Sequence, residues 1–152
     1  TLHTNSATET LTRLRNMGVP SFNLATSVNL IIAQRLARRL CTECKQSLNV
    51  PKESLLEEGF DELDIATRFT VYEPSPNGCD KCNGGYRGRI GIYEVVKITP
   101  ELSRIIMEDG NSLELAAQAK EHGFNNLRRA GLLKVMQGVT GLAEVNRVTT
   151  GH

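Results

Sequence analysis

Apolar residues recur along the chain in several rhythms, and each predicts a kind of element. Between Ser6 and Met17 they fall three apart, at Leu11, Leu14 and Met17. Ser6 with Glu9 three residues later forms a capping box, and Gly18 and Pro20 stop the run, so a first helix is expected there. From 21 to 40 the spacing is four: Leu24, Val28, Ile32, Leu36 and Leu40, with Ala25 and Ile31 widening the stripe. This predicts the strongest helix of the chain, capped by Ser21. Arg35, Arg38 and Arg39 would occupy its last turns, where cations suit the helix dipole. Arg38 and Arg39 read as a solvated face, and Arg35 as the partner of a carboxylate.

The rhythm then breaks. Pro51–Gly59 predicts a short helix ended by glycine, and Phe60–Ala66 a second helical turn. The acidic residues Glu57, Glu58, Asp61, Glu62 and Asp64 read as a solvated face rather than a docking surface. Apolar and β-branched residues crowd from Ile90 to Ile98 and predict a strand. Phe69, Val71 and Tyr72 predict another, which could join it in a small antiparallel sheet. After Thr99, which precedes Pro100 as a cap precedes a first helical residue, the chain reads as short helices on tight links. Asn111 with Glu114 starts one, Asn125 another, and Thr140 caps a last one carrying Leu142, Val145 and Val148. His122, near a helix end, reads as structural. The fold class expected is α+β, mostly helical.

Four cysteines stand outside these rhythms: Cys41-Thr-Glu-Cys44 and Cys79-Asp-Lys-Cys82, with 34 residues between the pairs. Each C-x-x-C can set two thiolates on one turn, and two such turns make the tetrahedral sulfur cage of a structural zinc site. Gly84 and Gly85, just after the second pair, would let the backbone fold under the sulfurs. Two disulfides and a redox C-x-x-C are the competing readings. No signal peptide marks the chain as secreted, and a redox motif usually comes singly. Catalytic zinc would need an open position, which four thiolates do not leave. The separation exceeds ordinary ribbon spacing, so an insertion with its own secondary structure is expected between the knuckles.

Composition narrows the function classes. Hydrophobic residues at 39% and charged residues at 23% over 152 residues describe a globular chain. A net charge of +1, aromatics at 5% and no Trp argue against a protein built to coat nucleic acid. No apolar run has the length of a membrane span. The chain opens on Thr1 rather than Met, as a piece of a longer protein would. His3 lies just before the first helix, where free N–H groups point outward. Spacing alone reads it as a loop histidine satisfied by a neighbouring carbonyl rather than as an anion contact.

Several stretches together match one family. His3-Thr4-Asn5-Ser6-Ala7, Thr12-Arg13-Leu14 and Met17-Gly18 resemble the histidine box of the secretion ATPases, the hexameric motors of type II secretion and type IV pilus assembly. Ala33-Gln34-Arg35-Leu36-Ala37-Arg38-Arg39-Leu40-Cys41 is similar to that family's helix leading into its tetracysteine zinc module. Cys79-x-x-Cys82-x-Gly84-Gly85-Tyr86-Arg87-Gly88-Arg89-Ile90-Gly91-Ile92-Tyr93-Glu94 resembles its return knuckle. Gly123-Phe124 through Leu127-Arg128, Gly131–Val135 and Gly138-Val139-Thr140 resemble its C-terminal helices, and Met107–Ser112 leans toward the pilus-extension branch. The resemblance implies three parts: 1–40, the end of a RecA-like ATPase core; 41–98, a zinc module with a small sheet; and 99–150, a C-terminal helical subdomain. It implies structural Zn2+ on Cys41, Cys44, Cys79 and Cys82, His3 at the γ-phosphate, and Arg13 in support. It also implies a cytoplasmic homohexamer acting on an inner-membrane platform protein, without nucleic acid and without membrane insertion. No G-x-x-x-x-G-K-[ST] loop occurs. ATP and Mg2+ are therefore expected to bind only the intact parent, and this part alone is expected to be inactive. The alternative is a stand-alone zinc ribbon that binds nucleic acid or protein through Arg35, Arg38, Arg39, Arg87 and Arg89.

Overall fold

The computed structural model describes residues 6–149. In chain order the elements are α1 (Ala7–Asn16), α2 (Ser21–Ser27), β1 (Leu30–Leu40), β2 (Gln46–Leu48), α3 (Lys52–Glu58) and α4 (Glu62–Ala66). They continue with β3 (Val71–Glu73), β4 (Tyr86–Lys97), α5 (Pro100–Met107), α6 (Ser112–Glu121), α7 (Leu127–Met136) and α8 (Leu142–Thr149). The described residues are thus mostly helical, with β1 paired to β4 and β2 paired to β3 in two separate two-stranded sheets.

Helix ends follow their local chemistry. The Ser6 hydroxyl accepts the Glu9 N–H at 3.2 Å, Thr99 accepts that of Leu102, and Asn111 that of Glu114. Gly59 ends α3 at φ 117°, a left-handed conformation that glycine adopts without penalty. Thr140, expected as a cap, instead donates its hydroxyl to the Arg38 carbonyl, and α8 starts two residues later.

The long helix expected over 21–40 is not formed. Helix α2 ends at Ser27, Val28 is extended (φ −86°, ψ 121°), and Leu30–Leu40 is a strand. A spacing of four is even, so it satisfies one face of a strand as well as one stripe of a helix. The phase separates the two. Ile31, Ala33 and Ala37 are buried, whereas Ile32 is 58% exposed and Leu36 47% exposed. Pairing with the β-branched strand β4 overrides the helical preference of Ala, Gln, Leu and Arg here. The expected sheet partners also change. β3 pairs antiparallel with β2, placing Gln46 opposite Glu73 and Leu48 opposite Val71, while β4 pairs with β1.

The chain forms two compact units, and the division falls between Gln34 and Arg35 and between Ile92 and Tyr93. One unit comprises the described residues up to Gln34 together with Tyr93–Leu127. In it α2 packs on α5, and α6 on both α1 and α5, around Leu11, Leu24, Leu102, Ile106 and Leu115. The other comprises Arg35–Ile92 with the described residues from Arg128 onward. Its core holds Leu40, Phe60, Val71, Ile92, Leu132, Val135 and Val145. Gly131 lets α7 approach α8, since a Cβ there would lie 2.9 Å from a Val145 methyl. The four helices that follow β4 thus divide two and two between the units.

Candidate metal centre

Strand β1 ends at Leu40 and delivers Cys41, which is 1% exposed, to the turn that carries Cys44. The Lys45 N–H closes this turn on the Cys41 carbonyl at 3.0 Å. The second pair sits on the turn leading into β4, where the Cys79 N–H donates to the Cys82 sulfur at 3.2 Å. Glycines make this turn possible. Gly84 and Gly85 have φ of 63° and 93°, and a Cβ on Gly85 would stand 2.5 Å from the Pro74 Cβ. The Gly85 carbonyl accepts the Cys41 N–H at 2.9 Å and so ties one knuckle to the other.

All four sulfurs lie within 4.8 Å of one another. Cys41 and Cys79 are 3.7 Å apart, Cys44 and Cys82 3.6 Å, and Cys79 and Cys82 3.6 Å. A disulfide needs about 2.05 Å, so neither competing pairing is made, and the cysteines are free. Metal–sulfur bonds of about 2.3 Å in a tetrahedron place sulfurs about 3.8 Å apart, close to these separations. The donor set therefore fits one metal ion, and a closed four-sulfur shell leaves no position for water. Burial, then the neighbouring sulfurs, push the Cys44 thiol up to about 12. Burial also pushes on Cys82, but the N–H groups of Cys79 and Gly85 outweigh it and hold that thiol at about 7. Four sulfurs this close ionise together only around a cation.

The unit around the cysteines is held by ion pairs that the sequence reading missed, among them those of two buried carboxylates. Glu144 of α8 is 2% exposed and accepts the Arg38 backbone N–H at 2.8 Å and the Arg38 guanidinium at 2.7 Å. Arg147 adds a second cation at 2.9 Å, and Arg38 stacks 4.0 Å from the centre of the Tyr86 ring. Burial pushes the Glu144 carboxyl up, but the two arginines outweigh it and hold it at about 2. Arg38 is half exposed, in keeping with the solvated face expected, and it also clamps the end of β1 to α8. Of the acidic residues of the insert, Glu57, Asp61 and Glu62 are exposed as expected, but Asp64 and Glu58 are paired with arginines. Arg129 of α7 grips both oxygens of the buried Asp64, and Arg128 pairs with Glu58 at 2.8 Å. The Lys45 ammonium donates to the Gly138 carbonyl at 3.0 Å and lies over the Tyr72 ring. The signals in the sequence were faint: Glu144 and Arg147 stand three apart beside the apolar stripe of the last helix.

The remaining site residues predicted from sequence lie in the other unit or beyond description. Arg13 is exposed on α1. His3, expected as an anion contact, lies outside the described residues. The first turn of α1, however, is already occupied. The Glu94 carboxylate accepts the Ala7 N–H at 2.6 Å, and Ser6 takes that of Glu9. His122 contacts Thr99 and Gln118 at 3.2 Å each, as a structural residue does. No described helix is long and apolar enough to cross a membrane.

Comparison with known proteins adds the following. A family model described as "Type II/IV secretion system protein" matches residues 1–147. The type IV pilus assembly ATPase PilB of Acinetobacter baylyi is 68% identical over 151 residues, 99% of this chain and 26% of that protein. PilB of Pseudomonas aeruginosa is 70% identical over 149 residues, 98% of this chain and 26% of that protein. The type II secretion system protein E of Aeromonas hydrophila is 38% identical over 150 residues, 98% of this chain and 29% of that protein. The chain therefore spans about a quarter of the length of the curated relatives it matches.

Proposed function

The chain belongs to the type II/IV secretion system protein family, and from that premise we propose that it serves a cytoplasmic ATPase that powers type IV pilus assembly. The observation that carries the pilus reading is the identity of 68% and 70% with pilus assembly ATPases, against 38% with a type II secretion protein E. In this reading the longer protein binds ATP and Mg2+, works as a homohexamer and acts on an inner-membrane platform protein. His3 contacts or senses the γ-phosphate, and Arg13 supports that region. Residues 1–40 close the RecA-like core, 41–98 form the metal module, and 99–150 form the C-terminal helical part.

The ion held by Cys41, Cys44, Cys79 and Cys82 is zinc, on the ground that an all-thiolate tetrahedron suits it. Its role is structural: it crosslinks the end of β1 to the turn entering β4. The module transmits or shapes subunit motion and carries out no bond-breaking step. The alternative of a stand-alone nucleic-acid ribbon loses Arg38, whose guanidinium is engaged by Glu144.

The test is ATP hydrolysis by a longer protein that includes this chain, with and without His3→Ala. The expected result is turnover in the parent, a loss of about a hundredfold in the variant, and none in the 152-residue chain alone. Turnover unaffected by His3→Ala overturns the assignment of that residue.

A further inference from the structure

Strand β4 alternates strictly after Gly91. Ile92, Glu94 and Val96 are buried, while Tyr93, Val95 and Lys97 point outward. The middle of the inward row is thus a carboxylate, 5% exposed, between two fully apolar neighbours, while Tyr93 and Val95 face solvent. Burial alone would place an apolar residue at 94, because an unpaired buried charge costs several kcal/mol. Such a breach of pattern is where function is to be sought.

Among the described residues Glu94 has no cationic partner. Its one hydrogen bond comes from the Ala7 backbone N–H, 87 residues away in sequence, at 2.6 Å. Ala7 is the first residue of α1 and is fully buried. Its N–H has no acceptor within the helix, so an outside group must take it. Glu94 does so, and sets its charge at the positive end of the helix. The contact fixes on β4 the point where the chain enters α1. His3 stands four residues before that point.

We propose that Glu94 is a positioning residue, which holds the Ala7 backbone on β4 and so fixes the base from which the His3 segment reaches the nucleotide. This rests on the role given to His3 above. A side chain ending in an oxygen acceptor suits the task because it takes the Ala7 N–H that the helix leaves unpaired, which an apolar residue at 94 cannot do.

The experiment uses a longer, ATP-hydrolysing protein that includes this chain. Glu94→Leu and Glu94→Ala remove the acceptor, the first while filling the apolar row between Ile92 and Val96, and Glu94→Gln keeps an acceptor of the same shape. The acceptor-free variants should lose about tenfold in kcat with KM for ATP within about twofold. Glu94→Gln should stay within about threefold of the parent. Amide hydrogen exchange in the peptide containing Ala7 should quicken in the Leu and Ala variants and not in Gln. A Glu94→Leu protein with parental kcat, or a Gln variant as impaired as Leu, overturns the proposal while leaving the role of His3 intact. A parent that hydrolyses ATP unaffected by His3→Ala overturns the His3 reading and this one with it.

Discussion

Two glutamates, one in each unit, are buried alike and held in opposite ways. Glu144 sits between two arginines, which hold its carboxyl at about 2. Among the described residues Glu94 is met only by a backbone N–H, and burial pushes its carboxyl up; the Ala7 N–H offsets part of that and the nearby Glu9 adds to it. Both are buried, at 5% and 1% exposure; the company differs. A buried acid clasped by cations is a lock, insensitive to pH across the physiological range. A buried acid without them is poised, and its charge is costly unless the position needs it. The locks gather in the unit that carries the four cysteines, where Asp64 and Glu58 are also paired with arginines.

The largest effect expected in this comparison comes from the metal. Structural zinc contributes around 10 kcal/mol in small domains, and less is expected here because α7 and α8 bring a core of their own. Chelation or Cys79→Ser should raise amide exchange through residues 41–90 and, with them, α7 and α8. These helices are tied to the module through Leu40, Lys45 and Arg38. The α5–α6 pair should keep its protection. Uniform exchange across the chain would erase the distinction between the units.

Next is Glu144→Ala, which should cost about 2–4 kcal/mol in urea denaturation. The arginine heads are about half exposed and regain water, but the Arg38 N–H is left without its acceptor. Acid should reproduce part of this. Glu144 has a depressed carboxyl, so its stabilisation is complete above the unfolded value near 4.5 and is lost as pH falls toward about 2. Glu144→Gln should flatten that limb of the stability–pH curve.

The smallest and most discriminating effect is at Glu94. Its folded carboxyl is raised, so its contribution is present below the unfolded value and lost as pH rises through the folded one. Glu94→Gln should therefore gain on the parent as pH rises through that window, and match it in acid. Parallel pH curves for the two proteins would mean that the two glutamates are held alike.

Much of this was legible in the residues. The cysteine spacing predicted the cage, Ser6, Thr99 and Asn111 predicted helix starts, and Gly59 predicted a stop. The failure at 30–40 has a specific cause: a period of four fits two kinds of element, and only the pairing with β4, which begins at Tyr86, far along the sequence, decides between them. The carboxylate–arginine clamps were illegible for a related reason. Arg38 and Glu144 are 106 residues apart, and their charges alone describe an ordinary surface. Glu94 left a trace, since alternation from Ile92 to Val96 places it on the buried face, but its partner is a backbone amide that no side-chain pattern reveals.

The central claim is that four sulfurs share one ion. Zinc analysis with X-ray absorption at the zinc edge, on the purified chain, tests it most directly. The prediction is one zinc per chain with four sulfur neighbours at about 2.3 Å. A chain without metal, a shell containing nitrogen or oxygen, or cysteines oxidised in pairs would contradict it.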